Sequence, residues 1–140
     1  MYLCCKTETE MKTFETKMVV DALPEDVYSA LTNAFAIELW TGYKAVMEPV
    51  EGSEFEMWEG DICGRIVKLV ENELVEQEWY FGEQEEESIV SIKIMPRGKN
   101  KATIAVTHTN IPDEAYEDIT EGWTETYLAG LKQFLEEGDD

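Results

Sequence analysis

Residues 12–21, KTFETKMVVD, set Phe14, Thr16, Met18 and Val20 on one face and polar neighbours on the other, the period of a half-buried strand. In the following ALPEDVYSALTNAFAIELWTG the period changes. Pro24 suits a first helical turn, Glu25 and Asp26 favour its positive end, and Val27, Ala30 and Leu31 recur at helical spacing. Asn33 interrupts before a second apolar stretch, Ala34 to Trp40, which stops at Gly42, so two short helices are expected. From Tyr43 to Thr109 strand patterns return as YKAVME, SEFEMW, DICGRIVKLV, ELVEQEWYF, SIVSIKIM and ATIAVTHT. The links between them, at Glu51-Gly52, Glu59-Gly60, Glu71-Asn72, Gly82 to Glu87 and Pro96 to Asn100, are too short for parallel crossovers, so the strands form an antiparallel meander.

The last segment is again helical. Tyr116, Ile119, Trp123, Tyr127, Leu131 and Phe134 fall three or four apart, and Asp113, Glu114, Glu117, Glu121 and Glu125 gather toward the opposite side. A helix from Asp113 to Glu136 would run for about 36 Å, enough to cross a small sheet diagonally. The pattern predicts an α+β domain of two layers: a curved antiparallel sheet of six or seven strands wrapped on a long C-terminal helix, with two short helices after the first strand. Residues 12–137 are expected to form this single domain, and residues 1–11 a flexible N-terminal tail.

Composition narrows the function. The chain has 140 residues, 44% of them hydrophobic, with four Trp, six Tyr and five Phe, enough for one core without staples. Its 31 acidic residues against 11 Lys and Arg give a formal charge of -20, which repels phosphate backbones and anionic membranes and argues against a nucleic-acid partner. No run approaches the roughly 18 apolar residues of a membrane span, and MYLCCKTETEMK lacks the apolar centre of a signal peptide. A cytoplasmic protein without membrane insertion is the expectation. Three cysteines, with Cys4 beside Cys5 and no CxxC pair, predict reduced thiols rather than a disulfide framework or zinc, and no EF-hand spacing suggests calcium. No metal or cofactor is expected.

The chemistry lies on the inward faces. Trp40, Trp79, Trp123, Phe14 and Phe134 are all predicted to point inward, either as an ordinary aromatic core or as the wall of a pocket beneath the helix. Gln77 alternates between Val75 and Trp79, and His108, the only histidine, follows Ile104 and Val106 in the same alternation. Such groups must meet each other, a water or a ligand. Trp40, Gln77, Trp79, His108, Trp123, Tyr127 and Phe134 are therefore the candidate ligand-binding residues. No catalytic residue is assigned, since no Ser or Cys sits in a nucleophile motif and 31 carboxylates make acidic pairs common by chance. Gly60 and Gly64, at a strand start, permit a bulge or a close backbone approach. Lys93, Arg97, Lys99 and Lys101 form a basic hairpin, either an exposed turn guarding edge strands or a docking point for an acidic partner.

The order of elements resembles the helix-grip fold of the START and Bet v 1-like superfamily. PEDVYSALTN with LWTG, FEMWEGDICGRIVKLVENELVEQEW, TIAVTHTNIPDE and EGWTETYLAGLKQFL are together similar to the domain shared with the C-terminal half of the activator of Hsp90 ATPase, over about residues 14 to 136. Trp40-Thr41, Phe55, Gly60 and Gly64, Trp79 and Gly122-Trp123 stand where that family carries its Trp-Thr pair, its Phe, its glycines, its strand-closing Trp and its Gly-Trp. The resemblance implies three functions: a non-enzymatic domain holding a hydrophobic small molecule such as a lipid or metabolite, a chaperone-associated or stress-response protein acting through its surface on a chaperone or other protein, or a cyclase-like enzyme.

Overall fold

The computed structural model describes residues 11–81 and 87–137. Residues 1–10 of the proposed tail, with Cys4 and Cys5, and most of the acidic turn from Glu83 to Glu87 lie outside the described residues, while Met11, placed in that tail from sequence, instead begins the first strand opposite Pro112. Strand β1 spans Met11–Val20, helices α1 and α2 span Pro24–Thr32 and Ala34–Thr41, and strands β2 to β6 follow at Glu54–Met57, Ile62–Val70, Leu74–Trp79, Ser88–Arg97 and Lys101–Pro112. The chain closes with a short turn of helix at Asp113–Ala115, helix α3 at Tyr116–Gly122, a π-helical turn at Trp123–Tyr127 and helix α4 at Leu128–Glu137. The six strands form one antiparallel sheet in the order β1-β6-β5-β4-β3-β2. The helix-grip architecture expected from the sequence is therefore the observed one.

Local chemistry explains the boundaries. Asn33 ends α1 in extended conformation, and its Oδ1 accepts the Ala36 amide at 3.0 Å, so one residue stops the first helix and caps the second. In β4, Val75, Gln77 and Trp79 are buried while Glu76 and Glu78 are not, the two-residue alternation of a sheet with one covered face. Gly64 of β3 lies opposite Trp79, and a Cβ there would stand 1.8 Å from the Glu78 carbonyl oxygen, so only glycine lets the two backbones approach this closely.

One expected strand does not form. Residues 43–48 make only a single bridge, Val46 to Glu56, and Tyr43 and Val46 are exposed. The alternation in YKAVME does turn Ala45 and Met47 toward the core while Tyr43 and Val46 face out, but the segment meets β2 only at the Val46–Glu56 bridge and so builds no ladder. The sheet accordingly has six strands.

Between helix layer and sheet the core grades along β6. At one end Ile104 pairs with Ile94 and Met18, beneath Val27 and Leu31 of α1 and Leu131 and Leu135 of α4. Four residues on, about 13 Å along the strand, His108 pairs with Val90 and Phe14 among tryptophans. The functional candidates gather there.

Candidate functional site

At the aromatic end, two buried polar side chains are tied to two indoles. The Trp123 Nε1–H can only donate, and it meets His108 Nδ1 at 3.0 Å, so Nδ1 must be the unprotonated ring nitrogen. His108 Nε2–H then donates to Ser88 Oγ at 2.8 Å, and the Ser88 hydroxyl donates to the Thr109 carbonyl at 3.0 Å. Every donor in this chain has an acceptor. Burial holds the imidazole neutral and pushes its pKa down to about 4. Gln77, 1% exposed, accepts the Trp79 indole N–H through Oε1 at 2.9 Å, and its Nε2 has no partner among the described residues. The Trp79 and Trp123 rings stack 5.1 Å apart, with Trp79 edge-on to His108 at 4.9 Å.

Beside this sealed network lies a cavity of about 630 Å³, open to solvent on one side, between β3, the end of β4 and the C-terminal helix. Trp79, Phe81, Ile119, Trp123 and Tyr127 supply its apolar wall, and Asp61, Tyr80, Asp118 and Thr126 are its exposed, polar residues. Two backbone irregularities shape it. The first is the π turn, in which the Leu128 amide reaches back to the Trp123 carbonyl. A π turn inserts one extra residue into a helix and is a recurrent feature of functional sites. Here it presents Gly122, Trp123, Thr126 and Tyr127 together to the cavity. The second is the run Trp58, Glu59, Gly60, with φ of 52°, 57° and 97°, left-handed values that are strained for a bulky residue such as Trp. That strained turn carries the Trp58 ring to 5.6 Å from Trp40 and 5.7 Å from Tyr127, closing one flank of the cavity.

Tyr127 is 3% exposed, yet its hydroxyl makes no hydrogen bond among the described residues. Burial raises its pKa, so it stays a neutral donor across the physiological range. A hydroxyl on the cavity wall that makes no hydrogen bond among the described residues is a polar point open to a ligand. Among the described residues no group of His, Cys, Asp and Glu could hold a metal ion, and Cys63, which lines the cavity, has no such cluster around it.

Of the seven candidates named from sequence, Trp79, Trp123 and Tyr127 line this cavity. Gln77 and His108 sit behind the wall, each engaged by an indole rather than by the other. Trp40 is half-buried, with its indole N–H on the Ala30 carbonyl at 2.9 Å and its ring 5.2 Å from Tyr127, and half-buried Phe134 packs against the core. Sequence reasoning passed over Trp58, Asp61, Phe81 and Asp118. Trp58 opens and Asp61 follows a turn whose left-handed path has no hydropathy signature, and Asp118 was one acid among many on the helix. The basic hairpin keeps Lys93, Arg97 and Lys99 exposed, and Lys101 meets Asp21 at 3.2 Å. No helix among the described residues is long and apolar enough to cross a membrane.

Comparison with known proteins gives a consistent result. The family profile described as Activator of Hsp90 ATPase homolog 1-like protein matches residues 21–136. The Activator of 90 kDa heat shock protein ATPase homolog 1 of Mus musculus is 27% identical over 111 residues, covering 79% of this chain and 33% of that protein. The chain thus spans about a third of the length of the curated relatives it matches. An HSP90 activator from Plasmodium falciparum superimposes with a TM-score of 0.80 at 23% identity, over 87% of this chain and 94% of that one. The Aha1 dimer from Colwellia psychrerythraea gives 0.77 at 23% identity, over 93% and 100%. These structural likenesses are evidence for the shared fold.

Proposed function

The chain belongs to the Activator of Hsp90 ATPase homolog 1-like family, and from that premise we propose that it is a non-enzymatic domain holding a small, largely apolar molecule between its C-terminal helix and its sheet. The carrying observation is the cavity itself: about 630 Å³, aromatic-walled, with the unpartnered Tyr127 hydroxyl on its lining. That volume falls within the usual range for small-molecule sites, as does a mostly apolar wall with few polar points. A non-enzymatic role is supported by His108, whose ring nitrogens are both engaged in structural hydrogen bonds and so offer a substrate neither proton nor lone pair.

Gly122 supplies the test. It lines the cavity in regular helical conformation, and a Cβ added there meets nothing within 4 Å. Gly122→Leu should fill the hollow without straining the backbone, and replacing a helical glycine stabilises by about 0.5–1 kcal/mol. Calorimetric titration with naphthylmethanol, a flat neutral probe, should give saturable binding to the native protein and none to Gly122→Leu, with the variant melting no lower. Equal binding to both proteins, or binding to neither, would overturn the proposal.

A second reading is favoured by one surface feature. Phe35 and Leu39, one turn apart on α2, are 70% and 57% exposed. An apolar helix face of this kind suits a protein partner, and the curated relatives are named for action on a chaperone ATPase. Phe35→Ser with Leu39→Ser should abolish any stimulation of such an ATPase by this chain while leaving probe binding intact.

A further inference from the structure

The walls and rim of the cavity carry charge of one sign. Asp61 and Asp118 stand at its exposed edge, and neither makes an ion pair among the described residues. No Lys, Arg or His is among the described residues that line it. The interior surface is indole and phenol, whose ring faces carry negative potential and attract cations more strongly as water is excluded. An anionic headgroup entering this site would lose its hydration with the Tyr127 and Thr126 hydroxyls as its main replacement donors, beside two carboxylates and inside a chain of net charge -20. A cation meets the opposite conditions at every point.

We infer that the cavity selects an apolar organic cation, an amine or quaternary ammonium on a flat or bulky apolar body, over neutral and anionic molecules of the same shape. This rests on the reading of the cavity as a ligand site and names its ligand class. The apolar body would lie against Trp79, Trp123 and Phe81, the Tyr127 hydroxyl would serve as a hydrogen-bonding point within, and the charge would sit between Trp58 and the two aspartates at the rim. Fatty acids, common occupants of apolar cavities in general, are poorly matched here.

Three probes of one shape separate this inference from the reading beneath it: naphthylmethylammonium, naphthylmethanol and naphthoate, each titrated calorimetrically into the full chain at about 0.15 M salt, where long-range fields are largely screened. The expected order is ammonium, alcohol, carboxylate, with about ten-fold or more between first and last. Asp61→Asn with Asp118→Asn should remove most of the ammonium's advantage over the alcohol and leave alcohol binding unchanged. Glu15→Gln with Glu73→Gln removes the same charge from exposed positions outside the cavity and should leave the order intact. Binding of the alcohol with carboxylate affinity equal to or above that of the ammonium would overturn the charge inference alone. So would an equal loss of selectivity in the Glu15 and Glu73 variant, which would assign the preference to net charge. Failure of all three probes would overturn the cavity reading and this inference together.

Discussion

The two ends of the helix–sheet interface solve the same packing problem with different side chains. Beneath α1 and α4 the contacts are Val20, Val27, Leu31, Ile92, Ile104, Leu131 and Leu135, all buried hydrocarbon. Beneath α3 and the π turn they are Trp79, Trp123 and Tyr127, with His108 and Gln77 drawn inside to receive the indole protons. Branched aliphatic chains interdigitate to fill space and ask for no hydrogen bond. Large rigid rings with polar edges impose partners and fixed spacings, and at this end an open cavity of about 630 Å³ lies beside them. A single amphipathic stripe along the C-terminal helix serves both ends, and its chemistry changes at the π turn.

If that division is real, truncation at each end should hurt stability but only one should hurt binding. Trp123→Ala removes a 1% exposed ring, its stack on Trp79 and the donor to His108, and should cost about 3–5 kcal/mol in urea melts while abolishing probe binding. Leu131→Ala, at the aliphatic end and fully buried, should cost about 2–5 kcal/mol and leave the probe affinity of the folded protein unchanged. A cost below about 1 kcal/mol for either would show that the helix does not close the core as described.

Acid should single out the aromatic end. With a folded pKa of about 4 against an unfolded value near 6.5, His108 binds its proton in the unfolded chain first. Stability from this group is complete above about pH 6.5 and declines as pH falls toward 4, by roughly 3 kcal/mol over the interval. His108→Leu orphans the Trp123 indole and should lower stability by about 1–3 kcal/mol at pH 7, but its stability should fall less steeply between pH 6.5 and 4 than that of the native chain. Parallel curves for the two proteins would show that the imidazole is not held neutral by burial.

The smallest effect belongs to neither end. A net charge of -20 repels itself across the whole surface, and salt screens that repulsion beyond about 10 Å at 0.1 M. The melting temperature should rise from low salt to about 0.5 M NaCl, and the ratio of the Trp123→Ala and Leu131→Ala costs should not change with it. A flat melting temperature would mean that surface ion pairs such as Lys132 with Glu136, at 2.7 Å, offset the repulsion.

The aliphatic end was the more legible in sequence. Alternation in β1, β4, β5 and β6 and the three-and-four spacing on the last helix identified which residues turn inward, Trp79 and Trp123 among them. What sequence could not supply was who meets whom. Gln77 lies opposite Val90 and His108 opposite Val90 from the other side, and His108 meets the Trp123 indole of the packed helix, contacts that no local pattern in the sequence records. The Gln77–Trp79 bond, two residues apart on β4, is local, but nothing in the sequence favours it over a ligand or His108. Tyr43 to Glu48 misled because alternation records which side chains turn inward, as Ala45 and Met47 do, and not whether the backbone pairs, which here happens only at Val46. The left-handed turn at Trp58 and the π turn carry no hydropathy signal, and with them the mouth of the cavity stayed hidden.

The most direct test of a ligand site at the aromatic end is to follow the four tryptophan indole N–H resonances by NMR during titration with naphthylmethanol. Trp58, Trp79 and Trp123 line the cavity and should shift together and saturate at one equivalent. Trp40, whose N–H donates to the Ala30 carbonyl behind the wall, should move least. Non-saturating shifts, or a response led by Trp40 while Trp79 and Trp123 stay fixed, would contradict the account.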